Sequence, residues 1–438
     1  MRPSRRIAIV GGGWAGCAAA VELTRQGHAV TLYEASRALG GRARHIEANG
    51  KTLDNGQHIL LGAYRDTLRL MRLVGIDLDR AMLRLPLQMR YPPHSGGMDF
   101  VAPRLPAPLH LLGALWRASG LEKDDKLALA RFSSTARWMG WRLHTDCTVS
   151  ELLDRFNQTD RVIRLMWRPL CIAALNTVPE HASAQVFLNV LRDSLGARRS
   201  ASDMLIPRVD LSALFPIRAA AFIEQRNGSV RYGAKVEKIL AQRGGWRIAH
   251  DPQSEPESFD AVVIATSPWQ AARLLEGLQH TVQFPAFTYE PITTCYLQYG
   301  SELTLAQPLF ALADDADANE WGQFVFDRGQ LNAGDAGMLA VVVSASHAAI
   351  SLGNETLTQA IIAQLVRVFQ MPALASPQWT RVISEKRATF SCTPSLLRPD
   401  NETGIDGLAI AGDYTSGDYP ATLEGAVRSG LNAARLLR

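Results

Sequence analysis

Cysteine is scarce in this chain, and the few cysteines present lie far apart. Five of them are spread over 438 residues, and no two form a CxxC pair. An odd, scattered set argues against a disulfide framework and against a zinc or iron–sulfur site. We therefore expect free, reduced cysteines, as in a cytoplasmic protein, and no bound metal.

An excess of one charge and long apolar runs are also lacking. The formal net charge is +4, which provides no basic face of the kind that nucleic-acid binding needs. No stretch reaches the roughly 18 uncharged apolar residues of a membrane-spanning helix. Ser4-Arg5-Arg6 is similar to the start of a twin-arginine export signal, but the apolar run Ile7–Val10 after it is too short. We expect a cytoplasmic protein, either free or bound peripherally at the inner membrane.

A nucleotide-binding pattern is present near the start of the chain. The apolar strand Ile7–Val10 is followed by Gly11-Gly12-Gly13-Trp14-Ala15-Gly16, an Ala-rich helix over Cys17–Gln26, and a second strand, Ala29–Tyr33, with Glu34 at its tip. This order of strand, glycine loop, helix, strand and acid predicts a dinucleotide site in an α/β fold. The pattern by itself does not separate FAD from NAD.

Each glycine of the loop has its own physical role. Gly11 makes the tight turn, Gly13 lets main-chain N–H groups approach a pyrophosphate, and Gly16 lets the helix pack closely on the strand. Trp14 and Ala15, which lie between these glycines at the start of the helix, are also expected to contact the cofactor. The positive end of the helix dipole would then face the phosphates.

A second glycine turn follows the acid. The carboxylate of Glu34, which precedes Ala35, would accept hydrogen bonds from an adenosine ribose. Gly40-Gly41-Arg42 begins six residues later, where the arginine would brace the pyrophosphate. Together these residues resemble the flavin-binding signature of the FAD-dependent amine oxidase and phytoene desaturase superfamily. The resemblance implies FAD as the cofactor and the fold of that superfamily.

The resemblance also covers segments far from the loop. The closing stretch Gly407–Gly430 is similar to the last piece of the superfamily's cofactor domain, which implies that Asp413 lies beside the ribityl and pyrophosphate groups. A helix that starts at Thr422 would stabilise negative charge on a reduced flavin ring by roughly 0.3–1 kcal/mol. Val236 would meet the adenine through its main chain. The contacts implied in these segments are Val236, Gly412, Asp413, Thr422, Glu424 and Ala426.

Two insertions separate the cofactor segments. Residues from about 80 to 205 read as mostly helical, and residues from about 280 to 390 mix strands with a helix. Ser229–His250 alternates like a hairpin around Arg243-Gly244-Gly245. No second glycine-rich loop follows a strand, so an external electron donor must reach the flavin directly. We predict a Rossmann-like FAD-binding domain of residues 1–80, 205–278 and 395–438, with an interleaved α+β substrate domain of residues 81–204 and 279–394.

The stretch Thr52–Gly75 indicates a narrower relationship. Its run Asp54-Asn55-Gly56-Gln57-His58, with the closing Gly412-Asp413-Tyr414-Thr415, is similar to the squalene-associated FAD-dependent family, the hydroxysqualene dehydroxylases of bacterial hopanoid biosynthesis. The resemblance covers the whole chain, and it is specific at the two ends and weak in the middle. It implies an oxidoreductase that removes the allylic hydroxyl of a C30 isoprenoid alcohol, hydroxysqualene, to give squalene.

Two other functions stay open at this point. A carotenoid or isoprenoid desaturase, or an amine oxidase, would move hydride from the substrate to the flavin, which is the opposite direction. A flavin-free prenyl-binding chaperone would share the fold without redox chemistry. The intact Gly11–Gly16 loop, Glu34, Arg42 and Asp413 argue against the chaperone.

Gly56, Gln57 and His58 are expected near the flavin ring by the same resemblance. An imidazole with a pKa near 6.5 is able to protonate a departing hydroxyl at neutral pH, which makes His58 the candidate catalytic residue. In the alternative interpretation His58 only orients or caps its loop. The acid would then be another residue, such as Tyr91 or Tyr419.

The implied substrate is insoluble in water, so we expect peripheral contact with a membrane during loading. One segment has the apolar helical stripe and flanking charge of an interfacial helix. The stripe consists of Leu109, Leu111, Leu112, Leu115 and Trp116, with Arg104 and Arg117 nearby. The alternative is an internal helix of the substrate domain.

Overall fold

The structure, a computed structural model, describes residues 4–250, 253 and 255–437. The strands of this part of the chain form two five-stranded sheets and several smaller ones. In chain order they are β1 Arg6–Val10, β2 Ala29–Glu34, β3 His45–Ala48, β4 Lys51–Asp54, β5 Leu60–Leu61, β6 Met82–Leu85, β7 Gln88–Arg90, β8 Asp99–Val101, β9 Met204–Pro207, β10 Ser229–Tyr232, β11 Lys238–Gln242, β12 Gly245–Ala249, β13 Glu257–Phe259, β14 Ala261–Ile264, β15 Tyr289–Gln298, β16 Leu309–Ala311, β17 Phe324–Asp327, β18 Met338–Ser344, β19 Trp379–Phe390 and β20 Leu408–Ile410.

The α-helices range from single turns to 16 residues. A π-helical turn, Ile163–Trp167, joins α7 to α8. No helix among the described residues is both long enough and apolar enough to cross a bilayer. The helices are α1 Trp14–Arg25, α2 Arg65–Leu73, α3 Leu78–Ala81, α4 Leu109–Arg117, α5 Lys123–Trp138, α6 Val149–Arg155, α7 Asp160–Val162, α8 Arg168–Leu175, α9 Ala184–Ser194, α10 Leu211–Leu214, α11 Pro216–Glu224, α12 Pro268–Leu275, α13 His347–Ser351, α14 Asn354–Phe369 and α15 Leu423–Leu436.

The parallel sheet has the strand order β10-β2-β1-β14-β20. All four neighbouring pairs are parallel, and numbering the five strands along the chain gives the Rossmann order 3-2-1-4-5. Its central strands are apolar and buried on both faces, as parallel strands covered by helices must be. The strand order reverses between β1 and β14, so a ligand crevice is expected at their carboxyl ends. The predicted fold class is confirmed.

Small residues allow α1 and α15 to pack closely. Most of α1 is buried, including Cys17 and its alanine run, in one cluster with Ile7 and Ile9 of β1. Gly430 of α15 lies against the α1 main chain, and a Cβ added there would be 3.0 Å from the Ala19 nitrogen. The last helix of the chain is thereby held against the first.

The antiparallel sheet has the order β16-β17-β18-β15-β19. Alternate residues of β15 enter different clusters, because successive side chains of a strand point to opposite faces. Cys295 and Leu297 pack with Leu357 and Ile361 of α14. Tyr296 faces the other way, into a cluster shared with the parallel sheet and the helical region. One face of this sheet therefore borders the cofactor side of the molecule.

The expectation that residues 80–205 are mostly helical is right from α4 onward and wrong before it. Residues 82–101 contain β6, β7 and β8, of which β7 and β8 pair with each other. β6 pairs with β9, more than a hundred residues further along. Whether a segment forms a strand depends strongly on the strand with which it pairs. A partner so distant cannot be recognised from the local sequence. The division into two domains stays a prediction.

The predicted hairpin over Ser229–His250 is correct only in its second half. β11 and β12 form an antiparallel pair around Gly244, whose φ is 82°. β10 instead joins the edge of the parallel sheet, where Arg231 is in register with Tyr33 of β2. Val236, the expected adenine contact, is buried in the connection between β10 and β11.

Candidate functional site

The amino-terminal loop lies where the strand order of the parallel sheet reverses. Gly11 follows β1 with a φ of 109°, and its Cα lies against the carbonyl of Ala265 after β14. Gly16 in turn packs against the Gly11 carbonyl, where a side chain would have no room. These positions match the tight-turn and close-packing roles expected of Gly11 and Gly16.

Gly13 is different, because nothing in the protein itself requires a glycine there. Its φ is −71°, and a Cβ built on it would meet no atom within 4 Å. All 34 glycines lie in the described residues, and Gly13 alone combines an ordinary φ with open space. The space therefore suits a ligand that approaches the main chain at a helix N-terminus, such as a pyrophosphate.

The side chains of Trp14 and Ala15, both expected among the cofactor contacts, are buried inside the protein. Trp14 Nε1 donates a hydrogen bond to the Ala43 carbonyl at 3.1 Å. The Ala15 carbonyl lies against Gly430 of α15. A cofactor contact of these two residues would consequently be made by the main chain at the start of α1.

Glu34 is fixed beside the loop by main-chain hydrogen bonds. Its Oε2 accepts from the Gly12 N–H and its Oε1 from the Ser36 N–H, both at 2.7 Å. The carboxylate thus sits at the carboxyl end of β2, next to Ala35. This is where the ribose-binding acid of a Rossmann fold lies.

The second glycine turn lies directly against the first. Gly40 and Gly41 have φ values of 113° and 61°, which favour glycine. The Gly40 N–H donates to the Gly12 carbonyl at 2.8 Å, and Gly40 forms a parallel bridge with Gly13. The structure therefore brings the two predicted glycine turns together around Gly13.

Arg42 and Asp413, 371 residues apart in the sequence, form an ion pair. Arg42 Nη2 lies 2.6 Å from Asp413 Oδ1, and Nη1 donates to the Ala388 carbonyl at 2.8 Å. Gly412 lies against the Tyr414 ring, which leaves no room for a side chain. The buried Tyr414 hydroxyl has no hydrogen-bond partner among the described residues. A buried polar group without a partner at this ion pair is one that a bound ligand can satisfy.

The N-terminus of α15 is capped and tied to a neighbouring helix. Thr422 Oγ1 accepts from the Gly425 N–H at 3.0 Å. The fully buried Glu424 carboxylate accepts from the N–H groups of Asp66 and Thr67, at 3.2 and 3.0 Å, at the start of α2. Sequence reasoning assigned Glu424 to the cofactor, whereas its side chain holds α2 against α15.

The run that contains His58 lies beside the second glycine turn. Asn55 Nδ2 donates to the Arg42 carbonyl, and Asn55 Oδ1 accepts from the Arg44 N–H at 3.3 Å. His58 Nδ1 lies 3.1 Å from the Gly56 carbonyl. Because a carbonyl oxygen only accepts hydrogen bonds, Nδ1 must carry a proton to make this one. Burial lowers the pKa of His58, although the Gly56 hydrogen bond opposes the shift. His58 is therefore a neutral imidazole near pH 7.

A buried polar network that sequence reasoning missed supports this run. Gln57 Nε2 donates to the Tyr296 hydroxyl at 2.8 Å, and Gln57 Oε1 accepts from Arg328 Nη1 at 3.2 Å. Arg328 also pairs with Asp335 at 3.0 Å and lies 4.0 Å from Asp54 Oδ2. The Tyr296 hydroxyl donates to the Asp54 carbonyl at 2.7 Å. No local signal ties Arg328 to this run, because Gln57 and Asp54 lie more than 250 residues before it in the sequence.

Asp54 is the member of this network that titrates near neutral pH. Burial raises the pKa of its carboxyl to about 7, although a hydrogen bond from the Leu211 N–H and the charge of Arg328 oppose the shift. A buried carboxylate costs free energy, which proton binding relieves. Asp54 is therefore expected to exchange a proton near pH 7.

Replacing Asp54 by asparagine is expected to remove a pH dependence of stability. A carboxyl with a folded pKa of about 7 and an ordinary value of 3.8 stabilises the fold fully below the lower value. That contribution is lost as the pH rises through 7. Relative to Asp54→Asn, the wild-type protein should lose up to about 1.4 kcal/mol per pH unit between pH 5 and 7. Chemical unfolding of both holoproteins from pH 5 to 8 measures the difference, and a constant difference would contradict the titration.

The two tyrosines considered as alternative acids are both engaged inside the protein. The Tyr91 hydroxyl donates to the Leu165 carbonyl at 3.0 Å, and the Tyr419 hydroxyl donates to Asp193. Burial raises the pKa of both phenols well above their usual range. Neither proton is free for transfer in this arrangement.

The site as a whole fits a flavin dinucleotide. It offers an open helix N-terminus at Gly13, an acid at the tip of β2, and the Arg42–Asp413 pair beside an unpartnered hydroxyl. Ala426 lies half-buried in the first turn of α15. Which of these residues touch the cofactor stays a prediction.

Curated relatives match over the full length of the chain. Hydroxysqualene dehydroxylases of Sinorhizobium fredii and Rhodopseudomonas palustris are each 28% identical, over 99% of this chain and 98% of theirs. A chloroplastic/chromoplastic zeta-carotene desaturase of Capsicum annuum is 24% identical, over 99% of this chain and 80% of its own.

Solved structures share the fold at low sequence identity. An oxidoreductase from Methanosarcina mazei is 14% identical, with a TM-score of 0.73 and coverage of 98% of this chain and 100% of its own. Cyclohexylamine oxidase from Brevibacterium oxydans is 17% identical, with a TM-score of 0.67 and coverage of 99% of both chains.

The family comparison settles the cofactor class. The family described as flavin containing amine oxidoreductase matches residues 14–438, which include α1, the second glycine turn and the closing helix α15. This makes FAD the cofactor and the protein an oxidoreductase. The chain belongs to the flavin containing amine oxidoreductase family.

Proposed function

We propose that this protein uses FAD to remove the allylic hydroxyl of hydroxysqualene by reduction, giving squalene for hopanoid biosynthesis. The observation that carries the proposal is the end-to-end match with two relatives named hydroxysqualene dehydroxylase. That match also covers the segments between the cofactor pieces, which we predict to bind the substrate. A match confined to the glycine loop would support only the cofactor.

The reaction replaces a carbon–oxygen bond by a carbon–hydrogen bond. A hydride goes to carbon, and a proton goes to the departing oxygen, which leaves as water. Reduced FAD supplies the hydride when it is bound. The main chain at Gly13 would hold it, and the N-termini of α1 and α15 would stabilise its negative charges by roughly 0.3–1 kcal/mol each.

Exclusion of water is the second task of the protein, because water would trap an allylic cation. One continuous buried cluster contains Tyr414 at the Arg42–Asp413 pair, Val342 of the antiparallel sheet and Phe132 of α5. The apolar interior thus runs from the cofactor side into the helical region. Packed apolar side chains of this kind keep water away from the cofactor side.

The proton for the departing hydroxyl would come from the run around His58. His58 is neutral near pH 7, so only a minor protonated fraction is available there. Asp54 exchanges its proton at about pH 7 and connects to Gln57 through Arg328. His58 as the proton donor stays a prediction, with Asp54 as the neighbouring group of suitable pKa.

The direction of electron flow tests the proposal. Holoenzyme reduced without oxygen and then mixed with hydroxysqualene should regain its flavin absorbance while squalene forms in equal amount. Mass spectrometry of the products and the absorbance trace are recorded together, with saturated squalane as the control substrate. Squalene formation without return of the absorbance would overturn the proposal.

A desaturase is the second candidate, supported by the zeta-carotene desaturase that matches 99% of this chain. In that case oxidised holoenzyme would bleach as an isoprenoid gains a double bond, and reduced enzyme would leave hydroxysqualene unchanged. The third alternative, a flavin-free prenyl-binding chaperone, is rejected, because the family to which the chain belongs is flavin-containing.

A further inference from the structure

The surface of helix α4 carries an unusual concentration of exposed apolar side chains. Leu109, Leu112 and Trp116 are 50%, 55% and 80% exposed, and Leu105, just before the helix, is 43% exposed. We propose that this α4 face, defined by these four residues, docks the protein on an anionic lipid bilayer. The evidence for docking is the surface itself. Only the purpose of docking, which is to load the substrate, rests on the proposed function.

The α4 face is one side of an amphipathic helix. Positions 109, 112 and 116 follow the spacing of three and four residues that places side chains on one helix face. On the opposite side His110 and Ala114 are buried. Leu111 and Leu115, expected in the same stripe, are half-buried instead. Helix α4 therefore packs on the protein with one side only. A helix internal to the substrate domain, the alternative considered from the sequence, would be buried on all sides.

Neighbouring contacts hold the α4 face in place. A Cβ added to Gly113 would lie 3.5 Å from Leu105 Cδ1, so Leu105 rests against the helix. Lys126 Nζ of α5 donates to the Trp116 carbonyl at 3.1 Å and fixes the helix end. The apolar residues are therefore presented from a structured platform.

The two charged side chains that flank the α4 face along the chain, Arg104 before Leu105 and Arg117 after Trp116, are exposed and complementary to anionic headgroups. Two acidic residues are exposed between positions 104 and 142, and one of them, Glu122, pairs with Arg161 at 2.9 Å. Basic side chains beside an apolar helix face attract anionic lipids and add to apolar insertion. The exposed basic residues of this stretch are Arg104, Arg117, Lys123, Arg131, Arg137 and Arg142.

A bilayer fits this surface better than a second copy of the chain. In a symmetric dimer the same patch meets itself, so Arg104 and Arg117 would approach their own copies. Like charges brought together in this way oppose association. A membrane also stores the water-insoluble substrate of the proposed reaction, and Trp116 at the helix end is a residue type favoured at lipid interfaces.

Vesicle sedimentation of the holoenzyme tests the inference without any substrate. Wild-type protein should bind phosphatidylcholine vesicles that contain phosphatidylglycerol, and bind vesicles of phosphatidylcholine alone at least tenfold less. Leu112→Asp and Trp116→Asp should each lower the partition coefficient at least tenfold. Leu397→Asp is the matched control, because Leu397 is 83% exposed but lies outside the α4 face. Flavin content and thermal unfolding verify that each variant is folded.

The outcomes separate docking from function. Wild-type holoenzyme that stays in the supernatant with anionic vesicles would overturn the docking surface, whatever the enzyme does to hydroxysqualene in detergent. Equal losses for Leu397→Asp and Leu112→Asp would overturn it too. So would a dimer, seen by analytical ultracentrifugation, that Leu112→Asp dissociates without changing vesicle binding. Failure to convert hydroxysqualene in detergent, with binding intact, would count against the proposed function alone.

Discussion

Gly13→Val is expected to yield a folded protein that purifies without FAD. The φ of −71° at Gly13 is accessible to valine, and the added Cβ meets no protein atom within 4 Å. The variant chain therefore has no internal reason to misfold. The side chain instead fills the space through which a pyrophosphate would reach the N–H groups at the start of α1.

The ratio of flavin absorbance to protein absorbance measures the loss, which should be at least tenfold. Thermal unfolding gives a second measurement, since a ligand at 100 times its Kd stabilises the fold by about 2.7 kcal/mol. Added FAD should raise the Tm of wild-type apoprotein and leave that of Gly13→Val unchanged. Gly334→Val is the control, because Gly334 is exposed, has an ordinary φ and lies elsewhere. Full flavin content in Gly13→Val would refute the loop assignment.

Arg328→Leu is expected to destabilise the fold by about 3–5 kcal/mol, the typical cost of breaking a buried ion pair from one side. The Arg328 side chain is only 5% exposed and serves the carboxylates of Asp335 and Asp54 together. Its removal leaves both buried without their cation. Gln57 also loses the Nη1 donor that positions its amide beside Tyr296.

Unfolding of the holoproteins in denaturant at pH 7 measures the deficit. The deficit should shrink toward pH 5, because a protonated carboxyl costs less to bury than a carboxylate. Adding Asp335→Leu to Arg328→Leu should recover part of the loss, because one unpaired carboxylate is then gone. Arg80→Leu is the control, since the Arg80–Asp77 pair is exposed and contributes little. Equal stability of Arg328→Leu and the wild type would show that the network does not support the run around His58.

The dinucleotide site was predictable because its signals are local. The strand, loop, helix, strand and acid of residues 7–34 lie within one supersecondary unit. Its glycines are required by the tight turn and by the close packing of helix on strand. The same holds for the α4 stripe, where helical spacing alone groups Leu109, Leu112 and Trp116. The closing segment was identified by resemblance, since its residues have no partner nearby in the sequence.

Tertiary structure decided everything that depends on contacts between distant segments. It paired Arg42 with Asp413, turned the Glu424 carboxylate toward α2, and brought Arg328 to the run that holds Asp54 and Gln57. Sequence periodicity reports which face of an element is apolar, but not which neighbour covers that face. Burial, and with it the pKa of Asp54 and the exposure of Trp116, is a property of those neighbours. The sequence therefore determined that a dinucleotide site is present and, through its family resemblance, that the dinucleotide is FAD. Packing determined which side chains around that site are already engaged inside the protein.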